Sequence, residues 1–426
     1  MTTALVVGGM IGAGIFMLPV SLAPYGANAV IAWVVSGIGA LALAFALARV
    51  ASADGQGIQS YIETAFGPTA AFLVTWAFWV SAWAANAALA IATASALGRI
   101  SPALSDPGMI VIVAVGLIAF LTAINAMGAR ATGRIAILTT AIKILPLLAV
   151  IVILGVRGSS GQPLAPLAPL PISFDNIAAA AALTLFALTG FETATAPVGK
   201  IRDPARNIPL AILGGTAFVA LLYLLSSTAV TLILPTNSVV TSLAPFADAV
   251  GSEWGETAAL LAAAGMAVSA FGCLNGGIMI AGELGYSMAL RGDLPKPLTR
   301  TDRNNTAILS QLVAAAIAIA LVLMNSSRET ANLFTFVILL STSATLYLYL
   351  VGALAALKQR PGLGPTLVIV VGLLFVAFAF YGVGAEANLW GVALLAAGLA
   401  IRFVMRRLNS RVPTPALEAA PAAPQE

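Results

Sequence analysis

The chain has no histidine among its 426 residues, a single cysteine, and only 8% charged residues. Each scarcity closes off a kind of chemistry. Without histidine there is no imidazole base, no histidine-ligated metal centre and no side chain that ordinarily titrates near neutrality. One cysteine excludes an intramolecular disulfide, and Cys273 lies inside an apolar run, where it reads as a small packing residue. Carboxylates paired at catalytic spacing are missing too, which argues against an intramembrane enzyme. There is no phosphate-binding loop for an ATP-driven pump, and no ring of charge for a channel. No cofactor and no metal are expected. Nucleic acid is not an expected partner either, because the net charge of +4 belongs to loops.

What remains is apolar: 60% of the residues are hydrophobic. Runs of about 20 such residues, each long enough to cross a bilayer, recur along the chain. Twelve are expected, over 2–21, 27–49, 69–97, 107–128, 134–155, 174–199, 208–234, 256–287, 306–325, 331–357, 364–384 and 387–406. The fold class is therefore all-α and polytopic, a membrane domain over 1–411 with a disordered tail at 412–426. With both termini inside, sixteen Lys/Arg fall on the cytoplasmic side and three outside: Arg99, Arg157 and Arg328. That bias predicts the orientation and supports twelve crossings, because one missed helix would scramble it. Only eleven residues precede Gly12, roughly 16 Å of helix, so the natural start is expected to lie upstream.

The first run breaks its own rule. Gly8-Gly9-Met10-Ile11-Gly12-Ala13-Gly14 puts four glycines in seven residues at its centre, each costing about 1 kcal/mol against alanine in a helix. One reading is close helix packing, since Gly8 and Gly12 form a small-xxx-small pair. The other is a broken helix whose bare amides hold a carboxylate. The sixth run repeats the device at Thr189-Gly190, with Glu192 two residues on. Interruptions in runs one and six suit two inverted five-helix repeats, about 2–155 and 174–357, with the helices of 364–406 outside them.

Several motifs then resemble one family. Gly12-Ala13-Gly14-Ile15-Phe16 with Pro19 resembles the first-helix motif of the amino acid–polyamine–organocation transporters, and Gly190-Phe191-Glu192 their sixth-helix motif. Lys200-Ile201-Arg202-Asp203-Pro204, Gly57-Ile58-Gln59-Ser60-Tyr61 and Arg291-Gly292-Asp293-Leu294-Pro295 are similar to their loops. Ser242-Leu243-Ala244-Pro245-Phe246-Ala247-Asp248 is similar to a stretch of the arginine/agmatine antiporter branch, the nearest match within the superfamily.

The resemblance implies a secondary transporter working by alternating access, with an amino acid or polyamine as cargo. It implies a substrate site of Met10, Ile11, Gly12, Ala13, Gly14, Asn86, Phe186, Thr189 and Gly190. The carboxylate would sit on amides near residues 12–14, and the amino group on carbonyls freed near 186–190. Phe186 replaces that branch's tryptophan gate, Ala13 a serine, and Gly277 or Ile278 an aromatic whose loss removes roughly 0.5–2 kcal/mol of cation–π attraction. An amino-acid antiporter is the first expectation, and a proton-coupled, sodium-independent permease for neutral amino acids the alternative.

The candidate gate and coupling residues are Glu192, Lys143 and Tyr347. Glu192, expected near the midplane, reads either as a gate or coupling acid or as a structural acid on the open backbone of helix one. By resemblance, Lys143 stands where sodium-coupled relatives hold a cation; its alternative is a structural ion pair, for instance with Glu192. Asn86 reads equally as an interhelical hydrogen bond. The expected partners are the cargo, the lipid bilayer of a cell inner membrane and, as an option, a second copy in a homodimer.

Overall fold

The computed structural model describes residues 2–12, 14–54, 58–126, 129–192, 204–302 and 306–409. Among these residues all regular structure is helical. The first apolar run forms two helices, α1 (Thr2–Met10) and α2 (Gly14–Leu22), parted by non-helical Ile11 and Gly12. Then come α3 (Ala27–Asp54), α4 (Ile58–Phe66), α5 (Pro68–Ile100), α6 (Pro107–Ala126) and α7 (Ala129–Ser160). The sixth run is α8 (Phe174–Leu188), a turn at Thr189 and Gly190, and a 3-10 turn at Phe191 and Glu192. After it stand α9 (Pro204–Ile233), α10 (Thr236–Val240), α11 (Pro245–Trp254) and α12 (Glu256–Leu290). The last four are α13 (Ile308–Met324), α14 (Thr330–Lys358), α15 (Leu363–Val383) and α16 (Ala385–Asn409).

Among the described residues nine helices are long and apolar enough to cross a membrane. Three shorter apolar helices, Gly14–Tyr25, Phe174–Leu188 and Ile308–Met324, fall in the first, sixth and ninth expected runs. Beside the short α10, two longer helices were not expected, α4 and α11. Both lie in stretches read as loops, and α11 starts with Pro245 at its first turn, where the missing N–H costs nothing. Ala13, Gly57, residues 200–203 of the loop motif and the tail at 412–426 lie outside the described residues.

α5 is the axis of the bundle, mostly buried, and α16 its rim, mostly exposed. Lipid offers apolar helices no hydrophobic reason to associate, so small residues and hydrogen bonds must join them. The joints follow that rule. Trp79 Nε1 donates to Ala281 O of α12, and Trp76 Nε1 to Leu394 O of α16, both at 2.8 Å. The Ser81 hydroxyl meets Ser341 Oγ of α14 at 2.9 Å, and Ser36 of α3 meets Thr184 of α8 at 2.7 Å.

The ion pairs among the described residues lie toward the helix ends and connections. Arg99 binds Asp248 at 2.6 Å and takes both carboxylate oxygens of Glu256, at 2.8 and 2.9 Å. Arg157 pairs with Glu253, and Arg328 with Glu386 at 2.6 Å. Arg402 and Arg406 of α16 converge on buried Asp293, at 2.8 and 3.2 Å.

Candidate functional site

A broken helix leaves carbonyls and amides without their usual partners, and inside an apolar bundle each must find another. The end of α1 finds them on three other helices. Ile11 N still reaches back to Val7 O, and Gly12 N folds onto Met10 O, both at 2.8 Å. Gly8 O accepts from Lys143 Nζ of α7 at 3.3 Å. Met10 O accepts from the Tyr223 hydroxyl of α9 at 2.9 Å. Ile11 O accepts from Cys273 Sγ of α12 at 3.4 Å, and that sulfur itself accepts from Lys143 Nζ at 2.9 Å.

On the other side of the break α2 begins at Gly14, and its first turn is buried. The leading N–H groups of a helix have no intrahelical acceptor, and the helix dipole adds partial positive charge there. The Phe186 ring covers this point so closely that a Cβ on Gly14 would sit 2.6 Å from its Cε1. Phe186 is buried.

The break after α8 is satisfied locally. Thr189 turns back, its N–H and hydroxyl both on Phe186 O, at 3.3 and 2.7 Å. Gly190 has φ 112°, a conformation that side chains strongly disfavour. Its N–H meets both carboxylate oxygens of Glu192, at 3.1 and 3.0 Å. From elsewhere, the Tyr349 hydroxyl of α14 donates to Glu192 Oε2 at 3.0 Å, while its ring stacks on Phe191 with centroids 5.2 Å apart. The two breaks touch, since a Cβ on Gly190 would lie 2.8 Å from Gly9 O.

The predicted residues thus divide. Met10, Ile11, Gly12, Gly14, Phe186, Thr189, Gly190, Glu192 and Lys143 gather at the paired breaks. Ala13 lies outside the described residues. Asn86 stands one helical turn from Leu89, whose side chain lies 3.8 Å from where a Cβ on Gly12 would sit. Its buried Oδ1 has no partner among the described residues and packs on Gly277, where a Cβ would come within 2.1 Å. The Lys143 ammonium rests on Gly8 O and Cys273 Sγ, not on Glu192, so the ion pair weighed between these two charges is not formed. Tyr347 is not brought to the breaks. Its ring sits 5.1 Å from that of Phe380, on the α15 side of α14. Tyr349, two residues on, is the one that reaches Glu192.

Sequence reasoning missed Tyr223, Tyr349 and the bridging position of Cys273. The chain has only seven tyrosines. A phenol in the middle of an apolar run is the signal that was available, since a buried hydroxyl must find a partner.

Interrupted apolar helices that meet inside a bundle of membrane-length helices are the construction of a secondary transporter. The chain belongs to the amino acid permease family, which it matches over residues 1–408. It is 29% identical over 400 residues to the putrescine transporter PotE of Escherichia coli K12, covering 91% of each chain. It is 28% identical over 400 residues to PotE of Haemophilus influenzae, covering 91% of this chain and 92% of that one. It is 28% identical over 340 residues to the cadaverine/lysine antiporter of E. coli K12, covering 78% of this chain and 76% of that one. This is a family of membrane transporters, not of enzymes.

Proposed function

We propose that the chain exchanges a cationic amino acid for the amine formed by its decarboxylation, by alternating access at the paired breaks. Arginine with agmatine is one such pair, and lysine with cadaverine another. The observation that carries the reading is the contact of Gly190 with Gly9 and Met10 beside the first turn of α2. It brings one half-helix N-terminus and the freed backbone of a second helix to one place, and half-helix ends of opposite polarity suit the two poles of an amino acid. The cargo carboxylate binds the leading amides of α2, Phe186 lies over it, and the side chain extends toward Asn86 and Gly277. The same reading takes the chain as twelve crossings with both termini cytoplasmic, in the inner membrane, with repeats over about 2–155 and 174–357.

A second reading has its own observation. The Lys143 ammonium lies on Gly8 O of the broken helix, a place where a bound cation would satisfy the same carbonyl. A fixed positive charge there suits a sodium-independent, proton-coupled permease. With no side chain on Gly277 to stack on a guanidinium, that permease would take neutral amino acids.

Counterflow in proteoliposomes separates the two. Vesicles loaded with lysine or arginine should accumulate labelled cadaverine, putrescine or agmatine without sodium or a pH gradient. Accumulation of alanine or leucine driven only by an inward proton gradient, with no heteroexchange of amines, overturns the exchanger in favour of the permease.

A further inference from the structure

Tyr223 lies in the middle of α9 and is fully buried. Its aromatic body could be replaced by phenylalanine without loss of packing, yet a hydroxyl is kept in an apolar bundle where an unpaired one costs free energy. That hydroxyl has a definite task, the bond at 2.9 Å to Met10 O, the last carbonyl of α1. Its placement is rigid. The ring is held edge-on by Trp33 of α3, with centroids 5.8 Å apart and planes at 66°.

The rest of α9 is shaped to carry α1. A Cβ on Gly215 would lie 2.7 Å from Val6 Cγ1, so the glycine lets the two helices approach. Thr216 Oγ1 touches Met10 Sδ at a long 3.8 Å. Of the side chains on the end of α1, Lys143 and Cys273 reach the neighbouring carbonyls of Gly8 and Ile11. Among the described residues Tyr223 supplies the side-chain bond to the carbonyl at the helix terminus, beside the backbone bond from Gly12 N at 2.8 Å, and from there the chain turns through Ile11 and Gly12 into α2.

We propose that Tyr223 is a positioning residue for carboxylate recognition: by fixing Met10 O it sets the direction in which the leading amides of α2 face the cargo. The proposal rests on the carboxylate assignment made under Proposed function. It divides ligands by chemical class. Those with an α-carboxylate depend on the Tyr223 hydroxyl, and amines lacking one do not. In an exchanger of an amino acid for its decarboxylated product, the two legs are then separately tunable from a residue that touches neither cargo.

The test uses the full chain carrying Tyr223→Phe, with Thr216→Val as a control on the same helix. Two quantities are read: amide hydrogen exchange over residues 7–14, and the KM and maximal rate of counterflow for lysine and for cadaverine. Tyr223→Phe should speed exchange in that segment and raise the KM for lysine roughly fivefold, the effect of one neutral hydrogen bond. The KM for cadaverine and both maximal rates should stay within about twofold, and Thr216→Val should leave all of them unmoved. Unchanged exchange over 7–14 overturns the clamp whatever the cargo. Faster exchange with equal KM changes for both cargoes overturns its link to the carboxylate. If Gly14→Leu leaves lysine binding intact, the carboxylate assignment fails and the positioning role falls with it. The exchange data then show separately whether the clamp exists.

Discussion

The two broken helices solve one problem in opposite ways. The break between α1 and α2 is satisfied from outside, by Lys143, Tyr223 and Cys273 on three different helices. The break after α8 is satisfied largely by its own next residues, Thr189 folding onto Phe186 O and Glu192 onto Gly190 N. A break closed mainly by its own residues depends less on its neighbours, here chiefly on Tyr349 and Gly9. One held by α7, α9 and α12 changes when any of them shifts. The first break is thus the natural place for packing changes elsewhere to reach the site, and the second a fixed wall against which the site is built.

The sharpest way to break this comparison is at the glycines. Gly190→Val meets both a positive φ and the backbone of Gly9, 2.8 Å from the new Cβ. No monodisperse protein is expected on size-exclusion chromatography, and a well-folded, active variant would show that the second break is not rigid. Next in size is Gly14→Leu. The atoms nearest its Cβ are the ring edge of Phe186, the end of a side chain that can swing aside, so the fold should survive. Amino-acid binding should be lost, because the side chain fills the space in front of the α2 amides. Calorimetric titration beside a thermal melt reads both.

The phenylalanines sharpen the contrast. Phe191 is fully buried and stacked on Tyr349, so Phe191→Ala should cost stability, on the order of 3–5 kcal/mol for a buried ring. Phe186→Ala should instead weaken transport more than stability, since its ring covers the start of α2. A melt and an uptake assay on both variants test the crossing of effects, and equal losses of uptake at equal stability would remove Phe186 from the site.

Smaller again is Lys143→Ala. Removing the ammonium leaves Gly8 O unpaired, a penalty of about 1–3 kcal/mol if no water enters. On the permease reading, net uptake driven by a proton gradient should fall more than homoexchange, and equal loss in both modes would mark the lysine as structural. The smallest effect belongs to Gly12→Ala. Among the described residues, nothing beyond its chain neighbours lies closer than 3.8 Å to the added methyl, so the KM should move less than about twofold. A large loss would mean the first break is as tightly confined as the second.

Much of this was legible in the chain. Glycines at 8, 9, 12, 14 and 190 are conspicuous in apolar runs because they weaken helices that have no other reason to be weak. Glu192 and Lys143 stand out because charge is expensive at membrane depth. The helix ends at Met10 and Leu188 fall within a few residues of where those glycines suggest. Tyr347 and Tyr349 show the limit. They lie two residues apart on one helix, about 200° around its axis, so they face nearly opposite sides. An apolar run without a clear polar face does not say which side is inward.

The sequence by itself determined the class of molecule, its recurring apolar runs and the two places where helices open, because these follow from composition and local backbone preference. The tertiary structure decided which groups close each break. Which hydroxyl meets Met10 O, which cation meets Gly8 O and which tyrosine meets Glu192 depend on the rotation and depth of helices far apart in the chain. Those are set by packing of small residues such as Gly215 against Val6 and Gly277 against Asn86, where contacts of a few ångströms fix the register and no local pattern encodes the partner.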